Sequence, residues 1–355
     1  MTRLLVGTAK GLFAFHSSDG RSWHMDGPFL AGWEVSATLV KAGRWYTGTT
    51  HYAYGATIRV SDDRGATWRQ PEGQPRFDQT PGSPSAEWKV NRIWELMSDP
   101  SRERIYVGID EAALFASDDR AETWNEVESL TRQPSRKAWF AGGGGLCLHT
   151  IIPHPTNPDR MWLGISAVGA FRTDDGGKSW KNLNRTLPAL PTGSPDETAA
   201  CCVHRIAIDP AKPDMLYMQY HGAVMRTLDA GENWERIETG LPGNFGFPMV
   251  CAQGNRLLVI PLENEGVRYV PGGALRVYAS ENSGQSWHES GAGLPDDPRF
   301  TGVLRSAMAA DAQSPVVAFG TTSGELFASA DSGRTWQPIA GQFPRIMHVS
   351  ISHDD

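Results

Sequence analysis

An eight-residue string ending in tryptophan, SDDRGATW at Ser61–Trp68, recurs along the chain. HSSDGRSW, SDDRAETW, TDDGGKSW, TLDAGENW, SENSGQSW and SADSGRTW close at Trp23, Trp124, Trp180, Trp234, Trp287 and Trp336. A self-similar unit returning every 45–56 residues confines the chain to a repeat architecture, because each unit must bury its apolar face against a neighbouring copy. The octet reads as a turn between two strands. Its carboxylate or amide accepts nearby backbone N–H groups, and its glycine takes a positive φ. The tryptophan plugs the turn. Burying an indole stabilises a fold by roughly 2–3 kcal/mol at about 25 cal/mol per Å², so seven of them suit a hydrophobic belt between repeats. One or two carboxylates per turn, with no bidentate glutamate, are too few for a calcium loop.

Three short apolar strands precede each octet and one follows, as in HTIIPHPTNPDRMWLGISAVGAFRTDDGGKSW and HRIAIDPAKPDMLYMQYHGAVMRTLDAGENW. Four strands per repeat and seven repeats predict an all-β, seven-bladed β-propeller, a single domain over residues 1–355. The chain opens on a second-strand pattern, RLLVGTAKGLFAF, and ends on an orphan innermost strand, RIMHVSISH. The N- and C-terminal strands are therefore expected to share one blade and close the ring, removing free edges.

The octet resembles the Asp-box, or BNR, repeat of sialidase-like propellers, with pattern S/T-x-D-x-G-x-S/T-W. The second, fourth and seventh copies match it fully. The first carries Ser18 at the aspartate position with Asp19 one place later, the third Ala121 for glycine, the fifth Asn233 for the hydroxyl residue and the sixth Asn282 for aspartate. Over nearly its whole length the chain is similar to bacterial BNR-repeat proteins labelled glycosyl hydrolases, which implies hydrolase activity on a carbohydrate. The resemblance also implies that the octets occupy one face, while connections into the innermost strands and the second-to-third-strand loops carry the site on the other. Sialidases of this lineage show an early F/Y-R-I-P motif, three arginines and a Tyr/Glu pair. That motif is missing here, and Arg92, Arg205 and Arg305 do not share one register, which argues against sialic-acid cleavage.

Net charge of -7 without a basic block disfavours nucleic acid as a partner. No apolar run approaches the roughly 18 residues of a membrane span, and the start lacks a signal-peptide core. A cytoplasmic protein is expected, with its oligomeric state open. Cys147, Cys201, Cys202 and Cys251 lie in apolar runs without C-x-x-C spacing, which reads as reduced packing thiols.

Registering innermost strands on the Asp-Pro turn that follows them places His149, His204 and Trp94 at one position, joined by His348, Arg305 and, by a less direct register, Glu34. Polar groups recurring where Val or Ile would pack point to a ligand site in a cavity. Three histidines there could instead hold a divalent metal or bridge neighbouring blades. Connections of about 20 residues follow Trp68, Trp124 and Trp180, longer than usual. They carry Trp88 and Trp139, and Trp33 precedes Glu34; flat aromatic faces suit sugar rings or pin long loops. Gly142–Gly145 read as a lid or a tight passage. A glycosidase needs two carboxylates roughly 5–9.5 Å apart. Among Glu34, Glu87, Asp110, Glu111, Asp196, Glu197, Glu263 and Glu265, the expected catalytic residues are Glu34 and Asp110, with His51 and His221 in reach. The alternatives are a metal enzyme and a non-catalytic binding scaffold.

Overall fold

The computed structural model describes residues 1–83, 85–190, 200–311 and 313–353. Seven antiparallel sheets follow one another, six of four strands and one of three; they are the blades of an all-β seven-bladed propeller. Blade 1 is composite. The strand Ile346–His353 pairs with Thr2–Thr8, which pairs with Gly11–Ser17 and then His24–Phe29. Its register runs from Thr2 opposite His353 to Val6 opposite Val349, so the terminal strands close one blade as the sequence requires.

Blade 2 holds Glu34–Lys41, Arg44–His51 and Gly55–Ser61. Blade 3 runs Ile93–Ser98, Ile105–Ile109, Leu114–Ser117 and Asn125–Glu126, and blade 4 runs Leu148–Pro153, Met161–Ile165, Gly169–Thr173 and Lys181–Asn182. Blades 5, 6 and 7 begin at Val203–Ile208, Phe245–Ala252 and Met308–Ala310. Outermost strands of blades 3 to 7 are two or three residues long, which leaves little exposed edge for unwanted pairing.

Each octet is a self-contained corner. In the second copy the Ser61 hydroxyl donates to Asp63 at 2.8 Å and accepts the Gly65 amide at 2.8 Å, while Asp63 accepts the Thr67 amide at 2.8 Å and hydroxyl at 2.6 Å. Two successive left-handed residues, Arg64 (φ 58°) and Gly65 (φ 93°), bend the chain into this cage. In the third copy the second of them is Ala121 at φ 70°. The first copy corrects the alignment on tryptophan: Ser17 and Ser22 bond Asp19, so Asp19 itself is the aspartate and the turn is one residue shorter. In the sixth, Asn282 accepts the Ser286 amide at 3.0 Å and its amide group donates to the Ser286 hydroxyl at 2.9 Å.

Three of the octet tryptophans fasten their blade to the one before it. Trp336 donates to the Ser290 carbonyl at 2.8 Å, Trp287 to the Ile237 carbonyl at 2.6 Å and Trp180 to the Ser129 hydroxyl at 3.0 Å. Glycine in the second strand admits the next blade: a Cβ on Gly108 would lie 2.4 Å from the Leu148 carbonyl oxygen.

Contacts gather the chain into two compact units, residues 1–38, 204–230 and 234–355 in the first and 39–203 with 231–233 in the second. Leu4, Phe15, Leu258, Phe319 and Phe327 are core residues of the first unit, and Leu114, Leu163, Phe171 and Trp139 of the second. Among the described residues the cysteines form no disulfide, and Cys147, Cys201 and Cys202 are buried. Among the described residues no helix is long and apolar enough to cross a membrane.

Candidate functional site

Trp94 and His149 are each the second residue of their innermost strand, as the register predicted, and each coincides with a register shift, between Ile93 and Glu95 and between Leu148 and Thr150. A bulge frees a side chain from the ladder and re-aims it. The two side chains then do different things.

Trp94 reaches the carboxylate of Asp110 through its indole N–H. Asp110 directly follows the second strand of blade 3, and the turn after it holds two non-glycine residues in the left-handed region, Glu111 (φ 61°) and Ala112 (φ 46°). Such backbone costs energy, on the order of 1–3 kcal/mol per residue, and persists where surroundings impose it. Here the Asp110 amide donates to the Arg92 carbonyl at 3.2 Å, the Ala112 amide to the Leu146 carbonyl at 3.0 Å, and Arg136 Nη2 to the Glu111 carbonyl at 2.5 Å. Burial pushes the Asp110 carboxyl above its ordinary value; the Trp94 N–H and Arg92 pull it down, and Glu111 adds to the rise. A carboxyl held this way is suited to keep a proton and deliver it.

Arg136, on the short 3-10 turn Pro134–Ala138, joins the two long connections. Its guanidinium carbon lies 4.2 Å from the Trp88 ring centroid and 4.7 Å from that of Trp139. Burial lowers its pKa to about 10. Arg92 similarly lies 4.5 Å over Trp94. Trp139 is only 8% exposed and packs on Phe171, so its ring is loop packing and presents no open face; Trp88, which meets Phe77 edge-on, remains half-buried. The Gly145 amide closes a turn on the Gly142 carbonyl at 2.9 Å.

His149 is fully buried, with Nε2 3.0 Å from the Val203 carbonyl and Nδ1 3.0 Å from the Thr150 hydroxyl. The carbonyl fixes the proton on Nε2, which ties blade 4 to the following strand, while Nδ1 bonds within its own strand. His348 is also buried; burial, then the charge of Arg205, lowers its pKa to about 3, against a smaller opposing effect of the Thr38 backbone.

In the first unit, His204 Nδ1 lies 2.6 Å from the Gly246 carbonyl, and its ring meets those of His221 and Phe247 at 5.3 and 4.8 Å. His221 Nε2 lies 2.5 Å from Glu265. Arg305 stands 5.3 Å from the Phe247 ring centroid. Glu34 begins its strand half-buried beside the half-buried Trp33. Glu87 is exposed, His51 stacks with Tyr52 and Tyr54, and Asp196 and Glu197 lie outside the described residues. Sequence reasoning missed Arg136, which only its place between two loop tryptophans could have signalled.

No family model matches the chain. It is 26% identical over 235 residues to the xyloglucanase Xgh74A of Acetivibrio thermocellus, covering 57% of this chain and 26% of that protein. The chain thus spans about a quarter of the length of this curated relative. Among solved structures it is similar to the GH74 enzyme of Niastella koreensis (TM-score 0.58, 18% identity, 94% of this chain and 46% of that one) and to YCF48 bound to D1 peptide (TM-score 0.53, 16% identity, 86% and 81%). These likenesses speak for the propeller fold.

Proposed function

We propose that the chain is a glycoside hydrolase-like enzyme acting on a carbohydrate such as a xyloglucan-derived oligosaccharide, with Asp110 as proton donor. The observation that carries this reading is the Asp110 carboxyl, half-buried at a strained turn and held by Trp94 between aromatic-lined loops. The sequence similarity to xyloglucanases supplies the substrate class. Trp88 is the proposed sugar-stacking ring and Trp94 the residue that orients the acid. Glu34 is a separate proposal, tested on its own: Glu34→Gln should abolish turnover while binding persists, and full turnover would remove it from the mechanism. The seven octets we read as Asp-box repeats serving only the scaffold. The test of the whole reading is release of reducing ends from xyloglucan oligosaccharides by the purified chain, and its absence with Asp110→Asn.

A second reading is a peptide-binding scaffold. It is favoured by length, since the chain covers 81% of the peptide-bound YCF48 chain but 46% of the GH74 enzyme. Tight peptide capture with no turnover of any glycan would select it.

A further inference from the structure

We propose that the space between the seventh and first octets, within the first unit, binds a free α-amino acid, whose carboxylate meets Arg21 and whose ammonium meets Asp331 and Gln337. This site goes beyond the carbohydrate reading and does not depend on it.

The repeat supplies its own comparison. At the fourth octet, Arg172 lies opposite Lys181 in the ladder, and both reach Glu232 of the fifth octet, at 3.0 and 2.7 Å. Arg172 also pairs with Asp174 at 2.8 Å, so four charged side chains fill the space and neutralise one another. At the seventh octet, Ala328 lies opposite Gln337, Ala330 stands in the place of Asp174, and Arg21 of the first octet stands in the place of Glu232. Three long or charged side chains have become two methyls and an amide, and the acid has become a base. What remains is a cavity of about 250 Å³, with Arg21, Ala328, Ala330, Asp331, Trp336 and Gln337 in its wall. The octets around it stay in contact: the Gln337 amide group donates to the Arg21 carbonyl at 2.6 Å, and a Cβ on Gly20 would lie 3.3 Å from that of Ala330. The two octets remain corners of the scaffold, and the space between them is the site.

The wall carries polar groups of both signs. Among the described residues the Arg21 guanidinium has no hydrogen-bond or ion-pair partner. Asp331 accepts the Ser329 hydroxyl and the Arg334 and Thr335 amides on Oδ1, but only the Thr335 hydroxyl on Oδ2, so Oδ2 keeps a lone pair. Burial raises the Asp331 pKa, yet the hydrogen bonds from Thr335 outweigh it and hold the carboxyl below its ordinary value, which leaves it ionised at neutral pH. Gln337 turns its NH2 to Arg21 and keeps its carbonyl oxygen as an acceptor. A simple anion would suit Arg21 but face Asp331, and a simple cation would do the reverse. A molecule with a carboxylate and an ammonium on one carbon satisfies both. The guanidinium fork matches the carboxylate, and the methyls of Ala328 and Ala330 take a short apolar side chain.

Calorimetric titration of the full chain with L-valine, 3-methylbutanoate and 2-methylpropylamine tests this, the last two being valine without its ammonium and without its carboxylate. Valine should bind roughly tenfold or more tightly than either, since each analogue lacks one hydrogen-bonded charge. Arg21→Ala should remove the margin over the amine, with Arg21→Gln covering a misfolded alanine variant and Arg21→Lys keeping the margin in part. Ala328→Arg combined with Arg21→Glu rebuilds the charged cluster of the fourth octet and should abolish binding of all three. Absence of valine binding at millimolar concentration, an unchanged margin in the Arg21 variants, or valine binding that survives the rebuilt cluster overturns the site. The acid binding as tightly as valine overturns the amino-acid assignment in favour of a simple anion, and the amine doing so overturns the role of Arg21. None of these readouts involves glycan cleavage, so this site and the carbohydrate reading fall separately.

Discussion

Trp94 gives its indole N–H to the carboxylate of Asp110, joining the bulged innermost strand of blade 3 to the strained end of the second. That hydrogen bond favours the ionised acid and opposes the effect of burial. Replacing Trp94 with Phe should therefore raise the Asp110 pKa and carry the alkaline limb of the kcat profile to higher pH. Glu111→Gln removes a like charge and should move it to lower pH. Asp110→Asn should reduce kcat by about 10²-fold or more with little change in binding. Steady-state rates across pH check all three, and a limb that stays put in both neighbour variants would dismiss Asp110 as the titrating group.

Ala121 occupies the left-handed position that glycine fills in the second, fourth and seventh octets. Ala121→Gly should stabilise the fold by about 1 kcal/mol, because glycine adopts this backbone without the Cβ penalty. A rise in denaturant midpoint at unchanged slope is the expected reading. A fall would mean that the Ala121 methyl, which is buried, contributes more by packing than it costs in backbone strain.

The octet aspartates link stability to acid. Hydrogen bonds from the Ser179 hydroxyl and amide lower the Asp175 pKa to about 2. A depressed folded-state value stabilises the protein above the unfolded pKa of about 4 and is lost as pH falls toward 2. Asp175→Asn should lower the denaturant midpoint at neutral pH, with the gap to the parent closing between about pH 4 and pH 2. A gap constant with pH would mean that shape, rather than charge, holds the corner, as in the Asn282 copy.

Gly108→Ala places a methyl 2.4 Å from the Leu148 carbonyl oxygen. Since this is backbone and cannot swing away, blades 3 and 4 must separate, at an expected cost of about 2–3 kcal/mol. Thermal unfolding measures it, and an unchanged midpoint would show that the interface is slack.

The propeller was legible because its determinants are local and repeated: the octet residues bond within their own corner, and the terminal strands carry complementary halves of one blade pattern. The register of Trp94 and His149 was legible for the same reason. What the register could not convey was side-chain direction. At matching bulges Trp94 turns to Asp110 and His149 to the Val203 carbonyl, a difference set by the neighbouring strands. For Trp139 the residues left sugar stacking and loop pinning both open, and Arg136 and Phe171 take up its ring as the second would have it. Asp19 was misplaced by one position because an alignment pinned on tryptophan hides a deletion inside the turn.

The corners gain independence from the way they close on themselves. A turn whose serine, aspartate and threonine satisfy one another asks nothing of its surroundings, so one copy lost a residue, another its glycine and a third its charge, and each still stands. Units of that kind tolerate duplication and drift, leaving selection free to act on the connections where Arg136 and Glu111 meet.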